Sequence, residues 1–139
     1  MRSVRMSHSL AVRATLALLA LIASLAVIPI ATAQDDGPSI LIRLRTVLHG
    51  PVLNGEKPSG KAEFEQENSR RKFSAEVDNV KVANGTVLVV KVNGQRVGKI
   101  TVQLEGGALL LTGKRAPNVT KGTRVGIFLG TQRILTGVF

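Results

Sequence analysis

Between Lys61 and Glu67 polar and apolar side chains alternate without a break. Ala62, Phe64 and Gln66 fall on one side; Lys61, Glu63, Glu65 and Glu67 fall on the other. Lys72 to Asp78 repeats the pattern with Phe73, Ala75 and Val77 on its apolar side. A period of two is that of a strand with one buried face. Joining the two through a loop Asn68-Ser69-Arg70-Arg71 sets a register in which apolar meets apolar. It pairs Glu67 with Lys72, Glu65 with Ser74, Glu63 with Glu76 and Lys61 with Asp78, and sets Phe64 opposite Ala75 and Ala62 opposite Val77. Glu63–Glu76 is then a like-charge pair, which costs stability.

The same period runs through most of the chain. Ile40 to Leu48 places Ile40, Ile42, Leu44 and Leu48 opposite Arg43 and Arg45. His49 to Gly60 holds Gly50-Pro51, Asn54-Gly55 and Pro58-Ser59-Gly60, a turn-rich stretch in which Asn54-Gly55 can close a small hairpin. Val80 to Asn84 leads into Gly85–Gly98, two β-branched runs around Asn93-Gly94. Asn-Gly suits a type I′ turn because both central residues need positive φ. The second run continues to Leu104, with Gly98, Ile100, Val102 and Leu104 on one face and a turn at Glu105-Gly106-Gly107. Ala108 to Thr112 reads as a short strand, Gly113 to Lys121 as a basic loop. Thr123 to Leu129 and Arg133 to Phe139 form a last pair around Gly130-Thr131-Gln132.

That last pair echoes the Gly85–Gly98 hairpin. Val82-x-x-Gly85-Thr86 matches Val119-x-x-Gly122-Thr123, and Gly94-Gln95-Arg96-Val97 matches Gly130-Thr131-Gln132-Arg133-Ile134 with one insertion. Two copies are too few for a solenoid, so they imply two related hairpins in one sheet system. About eight strands and no helical period after residue 33 predict an all-β fold, an antiparallel Greek-key-type sandwich. With four Phe and neither Trp nor Tyr, its core must be built from Val, Leu and Ile.

The N-terminus departs from this pattern. Arg2, Arg5 and Arg13 precede an apolar run from Ala14 to Ile28, then Pro29 and Ala31-Thr32-Ala33. A basic segment, an apolar helix and a small-x-small site describe a secretory signal peptide. The competing reading, an uncleaved membrane anchor, needs about 20 apolar residues, and Pro29 interrupts the helix first. The chain thus divides into a signal peptide (1–33), a solvated lead-in (34–39) and one domain (40–139). Cleavage leaves 16 basic residues against 9 acidic. An exported chain without Cys, which also excludes a lipoprotein anchor, points to a bacterial periplasm, cell surface or medium.

Thr46-Val-Leu-His-Gly-Pro-Val52, Gly60-Lys-Ala-Glu-Phe-Glu-Gln66, Lys72-Phe-Ser-Ala-Glu-Val77 and Gly85 together resemble the first half of a Cu/Zn superoxide dismutase. Chordin-type domains show a similar run of strands. The resemblance implies an eight-stranded sandwich. In the dismutases a copper-binding His-x-His pair follows the matching glycine; the corresponding positions here fall near Val90 and Val92. The family's other metal ligands, disulfide and active-site arginine have no counterparts. The resemblance supports the scaffold and argues against the activity.

Few residues offer chemistry. His49 is the only histidine after signal removal, and a metal or nucleophile site needs more converging groups. Glu63, Glu65, Glu67, Glu76 and Asp78 share a hairpin face that could offer oxygen ligands to Ca²⁺. Strand side chains do not converge as a loop does, so a solvated face that deters edge pairing is the better reading. Asn84-Gly-Thr86 and Asn118-Val-Thr120 match the N-glycosylation pattern, of little meaning in a bacterial protein. Basic residues form two groups able to attract anions: Arg70, Arg71 and Lys72 at a hairpin tip, and Lys114, Arg115, Lys121 and Arg124 in and after a loop.

The expectation is a non-enzymatic, exported structural or binding module without a cofactor. Its partner would be an anionic envelope polymer or a protein pairing at an edge strand. The alternatives are a metal-binding or dismutase-like protein and a purely electrostatic binder of anionic polymers.

Overall fold

The computed structural model describes residues 39–139. The signal peptide, its cleavage site and the lead-in as far as residue 38 lie outside the described residues. Eight strands follow one another: β1 (Leu41–His49), β2 (Ser59–Glu67), β3 (Arg70–Asp78), β4 (Val87–Val92), β5 (Gln95–Thr101), β6 (Gly107–Thr112), β7 (Arg124–Leu129) and β8 (Gln132–Val138). A 3-10 turn at Gly113–Arg115 is the one helical element among the described residues. All ladders are antiparallel and join the strands into one sheet in the order β5-β4-β7-β8-β1-β2-β3-β6.

The two ends of that sheet come together. A Cβ on Gly98 of β5 would lie 2.6 Å from the Leu109 side chain of β6. One on Gly107 of β6 would lie 2.9 Å from the Thr101 carbonyl of β5. Glycine on both edge strands permits this approach, so the sheet curls into a nearly closed barrel with no ladder across the seam. Inside lie Leu48, Phe64, Phe73, Leu88, Ile100, Ile127, Ile134 and Leu135, each fully buried. Each such side chain contributes roughly 1.5–3 kcal/mol, which is how a core with few aromatics holds. Phe139 closes it, its ring edge-on to Phe73 at 6.4 Å.

The corners obey asparagine and glycine. Asn54-Gly55 (φ 51° and 87°) and Asn93-Gly94 (φ 48° and 80°) are both turns of positive φ, as their sequences predict. The small hairpin at Asn54-Gly55 forms through Leu53 and Glu56, whose backbones bond in both directions at 2.7 and 3.1 Å.

Three expectations are corrected. The β2–β3 turn is the two-residue Asn68-Ser69, with Asn68 at φ 52°, so Arg70 and Arg71 belong to β3. The register shifts by two residues: Phe64 faces Phe73, Ala62 faces Ala75, Glu65 faces Lys72 and Lys61 faces Glu76. Apolar still meets apolar, and the like-charge Glu63–Glu76 pair is avoided. Secondly, the turn after β5 is Leu104-Glu105, not Glu105-Gly106-Gly107. Leu104 therefore lies at the apex, 87% exposed, instead of following Val102 inward. Thirdly, β1 overhangs the core, for Leu48 is buried while Ile40 and Ile42 are exposed.

The internal repeat holds closely, without the insertion expected from the sequence. At a constant offset of 37 residues, β4 corresponds to β7 and β5 to β8. Both copies shift register at the same point, between Val90 and Lys91 and between Ile127 and Phe128. Gly85 N donates to Val102 O at 2.8 Å, and Gly122 N to Phe139 O at 2.7 Å. Val90 and Ile127, equivalent by the offset, are also ladder partners. A local pseudo-twofold axis therefore passes through that pair.

Candidate functional site

The outer surface divides into two charge regimes. On β1, β2 and β3 the alternation sends Arg43, Arg45, Lys61, Glu63, Glu65, Lys72 and Glu76 outward. These charges neutralise one another: Arg43–Glu65 at 2.9 Å, Arg45–Glu63 at 3.2 Å, Lys61–Glu76 at 3.0 Å and Lys72–Glu65 at 3.9 Å. The hydrogen bond from Lys61 to Glu76, and then that carboxylate's charge, raise the Lys61 pKa above its ordinary value. Exposed ion pairs of this kind add little stability, and their effect is to leave the face nearly neutral.

β4, β5, β7 and β8 contain no Asp or Glu at all. Their buried faces carry Leu88, Val90, Ile100, Val125, Ile127 and Leu135. By alternation Lys91, Arg96, Lys99, Arg124 and Arg133 point outward. None of the five has an ion-pair partner among the described residues. From Asn79 to Phe139 the chain has nine Lys or Arg against Glu105 alone, whereas Ser39 to Asp78 has seven against six. The excess charge of the domain thus resides in its duplicated half.

That cationic face has a centre. The Lys91 ammonium stands 4.5 Å from the centroid of the half-exposed Phe128 ring, an attraction between cation and ring quadrupole. The ring lies over Gly126, where a Cβ would be 2.8 Å from Phe128 Cε2. Beside it is a shallow depression of about 150 Å³ lined by Lys91, Arg124, Gly126, Phe128, Arg133 and Thr136. Thr136 Oγ1 donates to Val125 O at 3.2 Å, so its proton is already used. Across the ladders Lys91 neighbours Arg96, and Phe128 neighbours Arg133. Arg124 is held at its strand start by Asn93, whose Oδ1 accepts from Arg124 N at 2.9 Å.

The basic residues singled out in the sequence occupy other places. Arg70, Arg71 and Lys72 open strand β3 and do not form a tip loop. Lys72 lies opposite Thr112, so this group borders the Gly113–Arg115 turn that carries Lys114 and Arg115. The segment after that turn is anchored by Ala116 and Val119, both buried. Lys121 sits in the turn before β7. Of the seven only Arg124 reaches the cationic face. Lys91, Arg96, Lys99 and Arg133 escaped the sequence reading because each is a lone charge with no second basic residue beside it. The near absence of acid after Asp78 was the signal that could have found them.

His49 is exposed and ladders with Thr136 beside the cationic face. Among the described residues no group of three or more His, Cys, Asp or Glu side chains could hold a metal ion. The Val90 and Val92 side chains, at the positions matching the dismutase copper ligands, are buried in the core. Among the described residues no helix is long and apolar enough to cross a membrane. A scan against protein-family models finds no matching family, and a search of curated proteins finds no match.

Proposed function

We propose that this chain is an exported, non-enzymatic binding module that recognises an anionic polymer of the bacterial cell envelope or its surroundings by electrostatic attraction. The observation that carries the reading is the segregation of charge. Five cations without carboxylate partners share one face, while the ion pairs between strands are confined to β1, β2 and β3 and a further one, Lys81–Glu56, joins two loops. Like charges gathered on one surface repel one another, and an anion relieves that cost. The signal-peptide pattern before Ala33 supports export.

The scaffold is the Greek-key sandwich, in flattened-barrel form. Supporting this, β4, β5 and β6 are consecutive neighbours and β7 returns beside β4, giving the order β7-β4-β5-β6 when the close approach of β5 and β6 is counted. The dismutase-like and chordin-type resemblance of residues 46–92 belongs to the same reading, as a scaffold put to use without the metal.

The test is retention of the purified protein on immobilised anionic polymers. The expected result is strong retention at low salt and elution as salt rises. Retention that ignores salt, or none at low salt, contradicts the reading. Stoichiometric copper or zinc in the purified protein would instead favour the metalloprotein alternative.

A further inference from the structure

The two cationic copies of the hairpin lie side by side, and their equivalence carries the inference further. By the 37-residue offset Gln95-Arg96 corresponds to Gln132-Arg133, while Lys91 corresponds to Phe128. The flanking arginine is thus present in both copies, and the central position differs. Lys91 and Phe128 straddle the pseudo-twofold axis and meet across it, with Arg96 beyond one and Arg133 beyond the other. The outward sequence across β5-β4-β7-β8 is therefore Arg96, Lys91, Phe128, Arg133. At a strand spacing of about 4.8 Å it covers roughly 14 Å across the strands, and the diagonal step from Lys91, which pairs with Gly126, to Phe128 adds two residues, about 7 Å, along them.

We propose that this face is the docking site for a linear, phosphate-bearing polyanion. The polymer crosses the strands from Arg96 to Arg133 over the Lys91–Phe128 pair and places one phosphate in the depression beside Gly126. The inference rests on the electrostatic reading above and assigns it a place and a chemical class. Two arginines separated by three strand spacings are too far apart for one inorganic anion to bridge, whereas an extended chain engages both at once. The planar guanidinium offers paired N–H donors that match a phosphate's oxygens, and Arg96, Arg124 and Arg133 supply three of them. Lys91, Arg124 and Arg133 line one depression of about 150 Å³ with no carboxylate among its lining residues. Arg96, Lys91, Arg124 and Arg133 crowd this short track, which matches a polyphosphate's charge on every phosphate better than a polyuronate's single carboxylate per sugar ring.

The test is fluorescence anisotropy with labelled long-chain inorganic polyphosphate, at several salt concentrations, on the full chain and two double variants. R96A/R133A removes the two ends of the track. R70A/R71A removes the same charge from β3. The expected result is a loss of affinity of about tenfold or more for R96A/R133A, a salt slope lower by about two, and little change for R70A/R71A. R96K/R133K, which keeps the charge and loses the fork, is expected between wild type and R96A/R133A, and also guards against a folding defect. Equal weakening of the two alanine variants would overturn the site while leaving the electrostatic function standing. Tighter binding to polygalacturonate, or to phosphatidylglycerol vesicles, would overturn the polymer class. No binding of wild type to any of these at low salt would remove the site and the proposed function together.

Discussion

Leu104 is a residue whose conformation and surroundings both oppose it. It holds φ at 49° with Glu105 at 63°, in a turn type that favours Asn-Gly, and its side chain is 87% exposed. The turn persists because its backbone is fastened on both sides: Leu104 N donates to Asn84 Oδ1 at 2.9 Å and Val80 N donates to Glu105 O at 2.8 Å. A left-handed conformation costs an ordinary residue about 1–2 kcal/mol. L104N/E105G keeps those backbone bonds and is expected to stabilise the domain by about 1 kcal/mol or more, read as a higher urea midpoint with unchanged slope. Lys61 gives a prediction in pH. Its pKa is raised by the bond to Glu76, so the associated stability is complete below the ordinary value near 10.5 and is lost as pH rises through the folded-state value. In Glu76→Gln the Lys61 titration followed by NMR is expected to move down toward 10.5.

At the scale of elements, turn chemistry decides register. Asn93-Gly94 was legible because Asn-Gly has one strong preference, and the structure adds that Asn93 Oδ1 also accepts from Arg124 N. Asn93→Ala loses both features and is expected to cost about 1–2 kcal/mol, or several degrees in thermal midpoint. The β2–β3 turn was misread because alternation alone fits both a two-residue and a four-residue loop. A shift by two keeps every side chain on its face. Charge pairing separates the two, since Lys61 opposite Glu76 replaces a clash between glutamates. The repeat was visible in outline from Gly85-Thr86 and Gly122-Thr123. Its constant offset was hidden because Asn93 and Gly130 perform the same turn with different residues, φ 48° and 59°. The scarcity of acid after Asp78 marks the excess charge in the sequence, but the face itself is assembled only in the sheet, which places its five residues from four strands side by side.

For the whole molecule, near-closure and charge segregation are the organising facts. The seam depends on small residues, since Gly98 leaves the space that Leu109 fills. Gly98→Ala is expected to destabilise the domain, and adding Leu109→Ala should recover part of the loss. Strict additivity in the double-mutant cycle would contradict the contact. The duplicated half forms one continuous ladder from β5 to β8, so its cations are held on a rigid surface. That surface, and not the basic groups nearest in sequence, is where the account places binding. The most direct measurement is chemical-shift mapping of the isotope-labelled protein titrated with inorganic polyphosphate. The account predicts perturbations concentrated at Lys91, Arg96, Arg124, Phe128 and Arg133, with the ion-paired face of β1, β2 and β3 unmoved. Perturbations centred on Arg70–Lys72 and Lys114–Arg115, or spread evenly over both faces, would contradict it.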